Sequence, residues 1–524
     1  MLLERIREVA LRLRNGSLSV DELYKLCMQR AQRLQQLNAF VTLTPELAES
    51  QTKEASERIR QGKSKGKLDG IPIAVKGNFS TKGVQTTCAS QMLMGYKPPY
   101  TATVVQRLFD EGAVMMGMTN LDEFAMGSGA VDSIHGPVQN VWRHPILQSC
   151  PAKSAHAVQD GSTVRAASPS EEETEWFIAG GSSGGSAVAV ASGMCFAALG
   201  SDTGGSVRIP ASHCGIVGLK PTYGLCSRHG LIPLTNSMDA PGIFANTIDD
   251  TAAVLGVIAG HDCQDSTCVT DPFEAFELPD DLCVEGLNVG IPKEFHTPNL
   301  ERDVLQTWSR VADLFENAGA RVKSVSLPNT QYSVLCYSVL GPVEVASNMA
   351  RYDGIEYGHR HKGSETMESL FAATRHEGFN DVVRGRILAG NYFLLKDNYE
   401  MYFLQAQRVR RLIAEDFLQV FADGTDVLLT PTTISAAKSY SEFSRLDSRK
   451  QQEQEDLMVM SANLAGIPAV SVPTGLSSVG MPIGLQLIGQ KFQERQLLTV
   501  AKWMEQEVKF PRADLASSLE VLES

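Results

Sequence analysis

Two serines lie 24 positions apart in this chain of 524 residues, Ser182 and Ser206, and each stands within a glycine-rich tract. Far upstream, Lys76 ends an apolar run that starts at Gly70. A buried lysine can lose its proton and act as a base, and a serine hydroxyl needs such a base to become a nucleophile. Glycines let backbone N–H groups approach a developing oxyanion closely. These residues therefore predict acyl transfer by a Ser–Ser–Lys relay, which needs no histidine.

Ser206 is the predicted nucleophile because it directly follows a pair of glycines. The backbone N–H groups of Thr203, Gly204 and Gly205 are predicted to form the oxyanion hole, where one such donor contributes about 3–4 kcal/mol in known enzymes. Taken alone, this tract is more typical of a tight turn with a capping serine. The matching tracts elsewhere in the chain favour the catalytic interpretation.

Ser182 is predicted to relay the proton between Ser206 and Lys76. The tract by itself leaves open whether Ser182 or Ser183 fills this role, and an ordinary Gly/Ser loop is the simpler alternative. Lys76 must be neutral to act as a base, and its apolar approach favours burial and a lowered pKa. Most lysines after a strand lie on the surface instead.

Two rival motifs fit less well. The first serine tract contains G-x-S-x-G, the nucleophile elbow of α/β-hydrolases, with Ser183 as nucleophile. That fold needs a late histidine, whereas the last histidine here is His376. Neither tract matches the phosphate-binding patterns G-x-x-x-x-G-K-[ST] or G-x-G-x-x-G.

The glycine-rich serine tracts and the lysine tract resemble the amidase signature family, and the likeness runs from about residue 5 to about residue 505. Within that family, the chain is most similar to the glutamine-hydrolysing, A-type subunits of tRNA-dependent amidotransferases, in particular the mitochondrial type. The further segments that carry the resemblance are Thr119–Met126, Cys214–Gly224, Asn463–Pro468, Ala346–Gly358 and Arg384–Gly390.

The resemblance implies an α/β fold with one large mixed central β-sheet surrounded by α-helices. It also implies a cis peptide before the relay serine, and its spacing of 24 residues selects Ser182. Arg386 and Asp456 match residues that hold the α-carboxylate and the α-amino group of glutamine; a helix-surface ion pair is the alternative. The family usually has Asp directly after the lysine, and this chain has Gly77.

The function implied by the resemblance is that of a glutaminase subunit that supplies ammonia for converting Glu-tRNA(Gln) to Gln-tRNA(Gln). The implied partners are B- and C-type subunits, with Glu-tRNA(Gln) bound through the B-type subunit. We expect no cofactor and no metal in this chain, and ATP and Mg²⁺ are expected to serve the assembled complex. The alternatives are a stand-alone hydrolase of another amide and a catalytically inactive scaffold subunit.

The composition limits what the chain binds and where it works. Its formal net charge of −13 argues against holding tRNA alone, because phosphate binding needs a basic surface. Its ten cysteines include no C-x-x-C pair and are expected to be reduced thiols. No apolar stretch is long enough to span a bilayer, so no membrane association is expected. The resemblance to the mitochondrial type implies a location in the mitochondrial matrix. The amphipathic segment 1–15 is either a transit peptide or an ordinary helix, and its Glu4 and Glu8 favour the helix.

Alternating apolar runs and helical patterns predict an α/β sheet. We expect a helical segment over 1–65, an amidase signature domain over 66–505 and a C-terminal tail over 506–524. Residues 143–175 lack an apolar period and are predicted to form a mobile surface insert. Strands are predicted at 71–75, 113–116, 194–199, 287–291, 426–430, 469–472 and 483–488, and helices at 103–112, 252–260 and 301–318.

Overall fold

The computed structural model describes residues 2–148, 175–363 and 365–521, and within them it contains one mixed sheet of eleven strands. The strands are β1 (Phe40–Leu43), β2 (Pro72–Lys76), β3 (Val114–Thr119), β4 (Ala197–Asp202), β5 (Val217–Lys220), β6 (Ala240–Ala245), β7 (Asn288–Pro292), β8 (Arg321–Val325), β9 (Val427–Pro431), β10 (Ala469–Leu476) and β11 (Pro482–Gly489). Their order across the sheet is β1-β3-β2-β4-β6-β5-β10-β11-β9-β7-β8. The predicted large mixed α/β sheet is confirmed.

Helices surround this sheet. They are α1 (Ile6–Asn15), α2 (Val20–Arg33), α3 (Pro45–Arg60), α4 (Thr103–Asp110), α5 (Pro145–Gln148), α6 (Gly184–Ala191), α7 (Arg208–Cys214), α8 (Ile248–Ile258), α9 (Arg302–Asn317), α10 (Ser333–Met349), α11 (Met367–Gly378), α12 (Asp381–Leu394), α13 (Lys396–Asn398), α14 (Gln405–Ala422), α15 (Tyr440–Phe443), α16 (Ser448–Glu455), α17 (Met460–Ala465), α18 (Glu494–Val508) and α19 (Arg512–Val521). A π-helix spans Tyr399–Leu404, and 3₁₀ turns occur at Gln35–Leu37, Gln91–Leu93, Glu123–Ala125, Lys293–Phe295 and Thr330–Tyr332. No helix in the described part of the chain has the length and apolarity needed to cross a membrane.

Two parallel neighbours in the sheet, β2 and β4, set the position of the predicted chemistry. Their register pairs Val75 with Leu199, so both strands end at the same edge of the sheet. β2 ends at Lys76, and β4 runs directly into the second serine tract. Every residue of both strands is buried, which agrees with the apolar run before the lysine.

The N-terminal segment is not entirely helical, in contrast to the prediction for residues 1–65. β1 pairs antiparallel with β3, so residues before 66 contribute the strand at one edge of the sheet. Its four residues are too few to show a clear strand period next to two long helices. α1 ends at Gly16, whose φ is 76°, and a capping box formed by Ser19 and Glu22 starts α2.

The C-terminal region also differs from the predicted tail. α18 continues to Val508, and α19 buries Leu515 and Leu519 against the core. The predicted insert lies mostly outside the described residues, which stop at 148 and resume at 175. The strand predicted at 194–199 is shifted, because β4 pairs with β6 as far as Asp202.

Candidate active site

Lys76 is completely buried, and its Nζ contacts three serine hydroxyls. The distances from Nζ are 2.8 Å to Ser182 Oγ, 2.7 Å to Ser183 Oγ and 2.9 Å to Ser201 Oγ. We call Lys76 with these three serines the lysine cluster. It joins the end of β2 to the first serine tract and to β4, so the structure brings the predicted base and the predicted relay serine into direct contact.

The electrostatic environment of Lys76 suits a base. Burial lowers the pKa of Lys76 from its ordinary value to about 7, although the carboxylates of Asp122 and Asp202 act in the opposite direction. Removing the lysine from water disfavours its charged form, and this effect exceeds the attraction of the carboxylates. A substantial neutral fraction therefore exists near neutral pH.

The serine loop, residues 180–183, presents Ser182 to the lysine. The peptide between Gly181 and Ser182 is cis, as the resemblance implied. Ser183 also contacts Lys76, but its Oγ lies 3.3 Å from the carbonyl of Ser201 and its N–H donates to the carbonyl of Ser206. Ser183 is thus held between the two serine tracts, and the contacts of Lys76 alone do not choose between Ser182 and Ser183.

The second link of the predicted relay is open. Within the described residues, no hydrogen bond joins Ser182 Oγ to Ser206 Oγ. Ser206 is only half-buried, whereas Ser182 is fully buried. Catalytic hydrogen bonds are often long before substrate binds, so this geometry is compatible with a relay that closes around the substrate.

A buried ion pair that the sequence analysis missed organises the nucleophile loop, residues 203–206. Asp202 ends β4, and its Oδ2 lies 3.1 Å from Nε of Arg208 with both side chains fully buried. Asn463 Nδ2 donates to Asp202 Oδ1 at 2.9 Å. Burial opposes the ionisation of Asp202, but the Arg208 guanidinium holds the pKa of this carboxyl well below its usual range. Arg208 and Asn463 both lie in segments that carry the resemblance. No pattern in the sequence indicates that these two side chains meet.

The oxyanion hole predicted at residues 203–205 needs one correction. The N–H of Gly205 donates to Asp202 Oδ1 at 2.8 Å, so this donor already has a partner. Thr203 is fixed by its own hydroxyl, which donates to Asp239 Oδ1 at 2.6 Å. A Cβ on Gly204 would lie 2.5 Å from Met460 Cε, so the Met460 side chain packs closely against the loop. The N–H groups of Thr203 and Gly204 remain the candidate donors, and the N–H of Ser206 joins them.

Arg386 and Asp456, the predicted substrate-binding residues, lie at a second site built from helices. Arg386 on α12 is 3.4 Å from the Tyr337 hydroxyl and 3.2 Å from Gln452 Oε1. Asp456 caps α16 and accepts a 3.4 Å hydrogen bond from Ser128. We call Arg386, Tyr337 and Asp456 the helix site. The alternative of an Arg386–Asp456 ion pair is not realised among the described residues.

The charges of the helix site affect one another. Burial raises the pKa of Asp456 to about 8, and the neighbouring Glu455 adds to the increase, whereas Arg386 opposes it. Burial raises the pKa of Tyr337 as well. Tyr337 lies beside the nucleophile loop, since a Cβ on Gly204 would be 3.9 Å from its ring. Sequence reasoning missed Tyr337, because no motif or spacing distinguishes it from the other residues of α10.

Gly77, which stands where the family usually has Asp, also has a structural basis. A Cβ there would lie 3.0 Å from the carbonyl oxygen of Thr119 and 3.0 Å from Leu121 Cδ2. Asn78 is buried and donates from Nδ2 to Ser201 Oγ at 3.0 Å. The tight backbone therefore leaves little room for a side chain at 77, and Asn78 supports the lysine cluster instead. Among the described residues, no group of three His, Cys, Asp or Glu side chains is arranged to hold a metal ion.

Comparisons with known proteins match nearly the whole chain. The amidase family model matches residues 22–146 and 165–498, which include Lys76 and both serine tracts. The chain is 58% identical over 512 residues to the A-type subunit of the mitochondrial glutamyl-tRNA(Gln) amidotransferase of Xenopus laevis, covering 97% of this chain and 95% of that protein. For the human protein of the same type, the identity is 54% over 512 residues, with 98% and 95% covered. The crystal structure of the A-type subunit of glutamyl-tRNA(Gln) amidotransferase from Thermotoga maritima superposes with a TM-score of 0.68 at 33% identity, covering 92% and 93% of the two chains.

Proposed function

The chain belongs to the amidase family, as its motifs predicted, and we propose that it is the glutamine-hydrolysing subunit of a glutamyl-tRNA(Gln) amidotransferase. The observation that carries the proposed chemistry is the buried contact of 2.8 Å between Lys76 Nζ and Ser182 Oγ. The identity of 54–58% to A-type subunits of that enzyme supports the choice of glutamine as the amide.

The proposed reaction begins when Ser206 Oγ attacks the side-chain amide carbon of glutamine. Its proton passes to Ser182, whose own proton passes to the neutral amine of Lys76. The N–H groups of Thr203, Gly204 and Ser206 stabilise the oxyanion that forms, because preorganised donors act strongly in a site that excludes water.

The proton then returns from Lys76 through Ser182 to the leaving nitrogen, and ammonia departs as the C–N bond breaks. A water molecule attacks the resulting γ-glutamyl ester of Ser206 and releases glutamate. Lys76 ends the cycle neutral, as it began.

The helix site is proposed to select the amino acid. The Arg386 guanidinium would receive the α-carboxylate of glutamine and Asp456 its α-ammonium group, since a planar fork of donors suits a carboxylate and an anion suits an ammonium. Tyr337, which belongs to this site, also lies beside the nucleophile loop. Glutamine would therefore span the helix site and Ser206.

The remaining parts of the proposal concern the assembly. Ammonia would pass to a B-type subunit that binds Glu-tRNA(Gln) and activates the glutamate with ATP and Mg²⁺, while a C-type subunit completes the complex. This chain would hold no cofactor or metal. The mitochondrial names of the relatives support a mitochondrial location, and the matrix is the compartment we propose.

A glutaminase assay of the pure chain, with and without its partner subunits, tests the proposal. We expect glutamate release from glutamine that depends on Ser206 and is coupled to amidation of Glu-tRNA(Gln) in the complex. Hydrolysis of simple amides in preference to glutamine would identify a stand-alone amidase instead. No release of ammonia from any amide would indicate a scaffold subunit.

A further inference from the structure

A second buried charge cluster lies next to the serine loop, outside the proposed reaction path. Glu455 Oε1 lies 3.3 Å from Lys438 Nζ, and Glu455 Oε2 lies 3.4 Å from His213 Nε2. The side chains of Glu455 and His213 are 1% and 0% exposed. We call Lys438, Glu455 and His213 the rear triad.

The rear triad is incompletely satisfied. In the described residues, neither ring nitrogen of His213 makes a hydrogen bond, and Glu455 Oε2 makes none either. Burial lowers the pKa of His213, whereas Glu455 acts in the opposite direction. Buried polar atoms without a hydrogen bond are costly to the fold, so Glu455 Oε2 and the His213 ring nitrogens call for an explanation.

Two members of the triad contact the segment that leads into the serine loop. A Cβ on Gly180, at the start of the serine loop, would lie 2.9 Å from His213 Nδ1. The carbonyl of Lys438 accepts a 3.0 Å hydrogen bond from the N–H of Ile178, two residues before that loop. His213 belongs to α7, which follows the nucleophile loop directly.

Glu455 connects the triad to the helix site because it immediately precedes Asp456 in the chain. The other charged or titratable groups that act on Asp456 come from different elements. They are Arg386 from α12, Tyr337 from α10 and Asp202 from β4. Glu455 differs from these groups because its charge is balanced by Lys438, a cation that lies outside the proposed active site.

We propose that the rear triad is a positioning device in which the Lys438–Glu455 ion pair adjusts the charge of Asp456 and His213 supports the serine loop. The inference rests on the proposed role of Asp456 in binding the α-ammonium group of glutamine. The helix site and the serine loop would then both respond to one buried charge cluster. Removing the charge of Glu455 favours the ionised form of Asp456, and removing that of Lys438 disfavours it, because like charges repel and unlike charges attract.

The test compares glutamine with its analogue that lacks the α-amino group, using the assembled amidotransferase. The ratio of the two kcat/KM values is measured from about pH 6 to pH 8.5. Deprotonation of Lys76 affects both substrates and cancels in the ratio, whereas ionisation of Asp456 helps only glutamine. In the wild type, the ratio should therefore rise with pH.

The variants should move the midpoint of that rise in opposite directions. Glu455→Gln should lower it by about one pH unit, the low end of the shift that loss of a neighbouring like charge produces. Lys438→Met should raise it, and the double variant, which leaves no lone buried charge, should lie between Glu455→Gln and the wild type. If a single variant does not fold, the midpoint of the double variant still tests the proposal.

The matched control is Asp69→Asn, which breaks the partly buried Arg58–Asp69 pair of 2.7 Å far from the site. It should lower thermal stability and leave the midpoint unchanged. A merely structural triad would behave like this control, and unchanged midpoints in all rear-triad variants would overturn the inference. A wild-type ratio that does not change with pH would instead overturn the role of Asp456, and with it the proposed recognition of glutamine.

Discussion

The lysine cluster and the helix site differ in how completely their polar groups are paired. Lys76 Nζ makes contacts of 2.7–2.9 Å to Ser182, Ser183 and Ser201. Within the described residues, Arg386 makes contacts of 3.2 and 3.4 Å, both to neutral groups, and Asp456 accepts a hydrogen bond of 3.4 Å. The first region is assembled before any ligand arrives, whereas in the second the described residues give Arg386 no carboxylate partner within hydrogen-bonding distance and burial raises the pKa of Asp456.

The difference follows from the elements that carry each region. The lysine cluster is built at the ends of paired strands and on tight glycine turns, where the sheet determines the positions of the backbone atoms. The helix site is built from α10, α12 and the end of α16, so its side chains come from three separate helices. Precise placement suits proton transfer, and unpaired charge suits the recognition of a zwitterion.

Loss of the nucleophile that the lysine cluster serves should have the largest effect of all the variants. Ser206→Ala should reduce glutamine hydrolysis by about 10⁴-fold or more, as removal of a nucleophilic serine does elsewhere. Amidation of Glu-tRNA(Gln) by the complex should continue with ammonium salt, because that step would use a different chain. A normally assembled mutant complex that fails with ammonium as well would contradict this division of labour; Ser517→Ala, at an exposed serine on α19, is the control.

Replacement of the buried base should have the next largest effect. Lys76→Arg should lower kcat by about 10²–10⁴-fold, nearly as much as Lys76→Ala, because arginine keeps the cation but cannot be deprotonated. The measurement is steady-state glutaminase activity with circular dichroism to check folding. Substantial activity in the arginine variant would show that Lys76 serves only as a structural cation.

The same base predicts a pH dependence. Lys76 must be neutral to accept a proton, and burial lowers its pKa to about 7. Activity of the wild type should therefore rise as the pH increases through about 7 and level off above it. A kcat that is flat from about pH 6 to pH 8.5 would mean that the lysine does not titrate in the reaction.

Truncation in the helix site should have a smaller and selective effect. Arg386→Ala should cost about ten- to a hundredfold in kcat/KM for glutamine, since a charged hydrogen bond contributes about 1.5–3 kcal/mol. The loss should be much smaller for an amide without an α-carboxylate. Equal losses on both substrates would mean that Arg386 supports the fold. The helix site would then have no role in recognising glutamine through this residue.

The smallest effect is expected at Gly77, next to the lysine. Gly77→Ala should destabilise the protein by about 1 kcal/mol, because its Cβ would meet the Thr119 carbonyl at 3.0 Å. Thermal unfolding should show this loss, and kcat/KM should change by no more than a few-fold. Gly256→Ala on α8, where a Cβ meets only an ordinary contact of 3.4 Å, is the control and should not lose stability. A stable but inactive Gly77→Ala variant would show that the backbone there orients the lysine.

The sequence alone determined the identity of the chemical groups and the type of fold. Apolar runs ending in Lys76 and in the nucleophile loop predicted buried strands, and β2 and β4 are such strands. The glycines of both serine tracts predicted a backbone that approaches the reacting groups closely, and Gly180 and Gly205 have positive φ values of 78° and 126°. These features are local, so they can be read from neighbouring positions in the chain.

Only the tertiary structure decided which distant groups meet. Asp202, Arg208 and Asn463 form one buried network although they are as much as 261 positions apart. The same holds for Glu455 beside His213 and for Tyr337 beside Arg386. β1 went unpredicted for a related reason, since its identity as a strand depends on its partner β3. Burial also raises the pKa of Asp456, which no local pattern indicated, whereas the lowered pKa of Lys76 agrees with the burial that its apolar approach predicted.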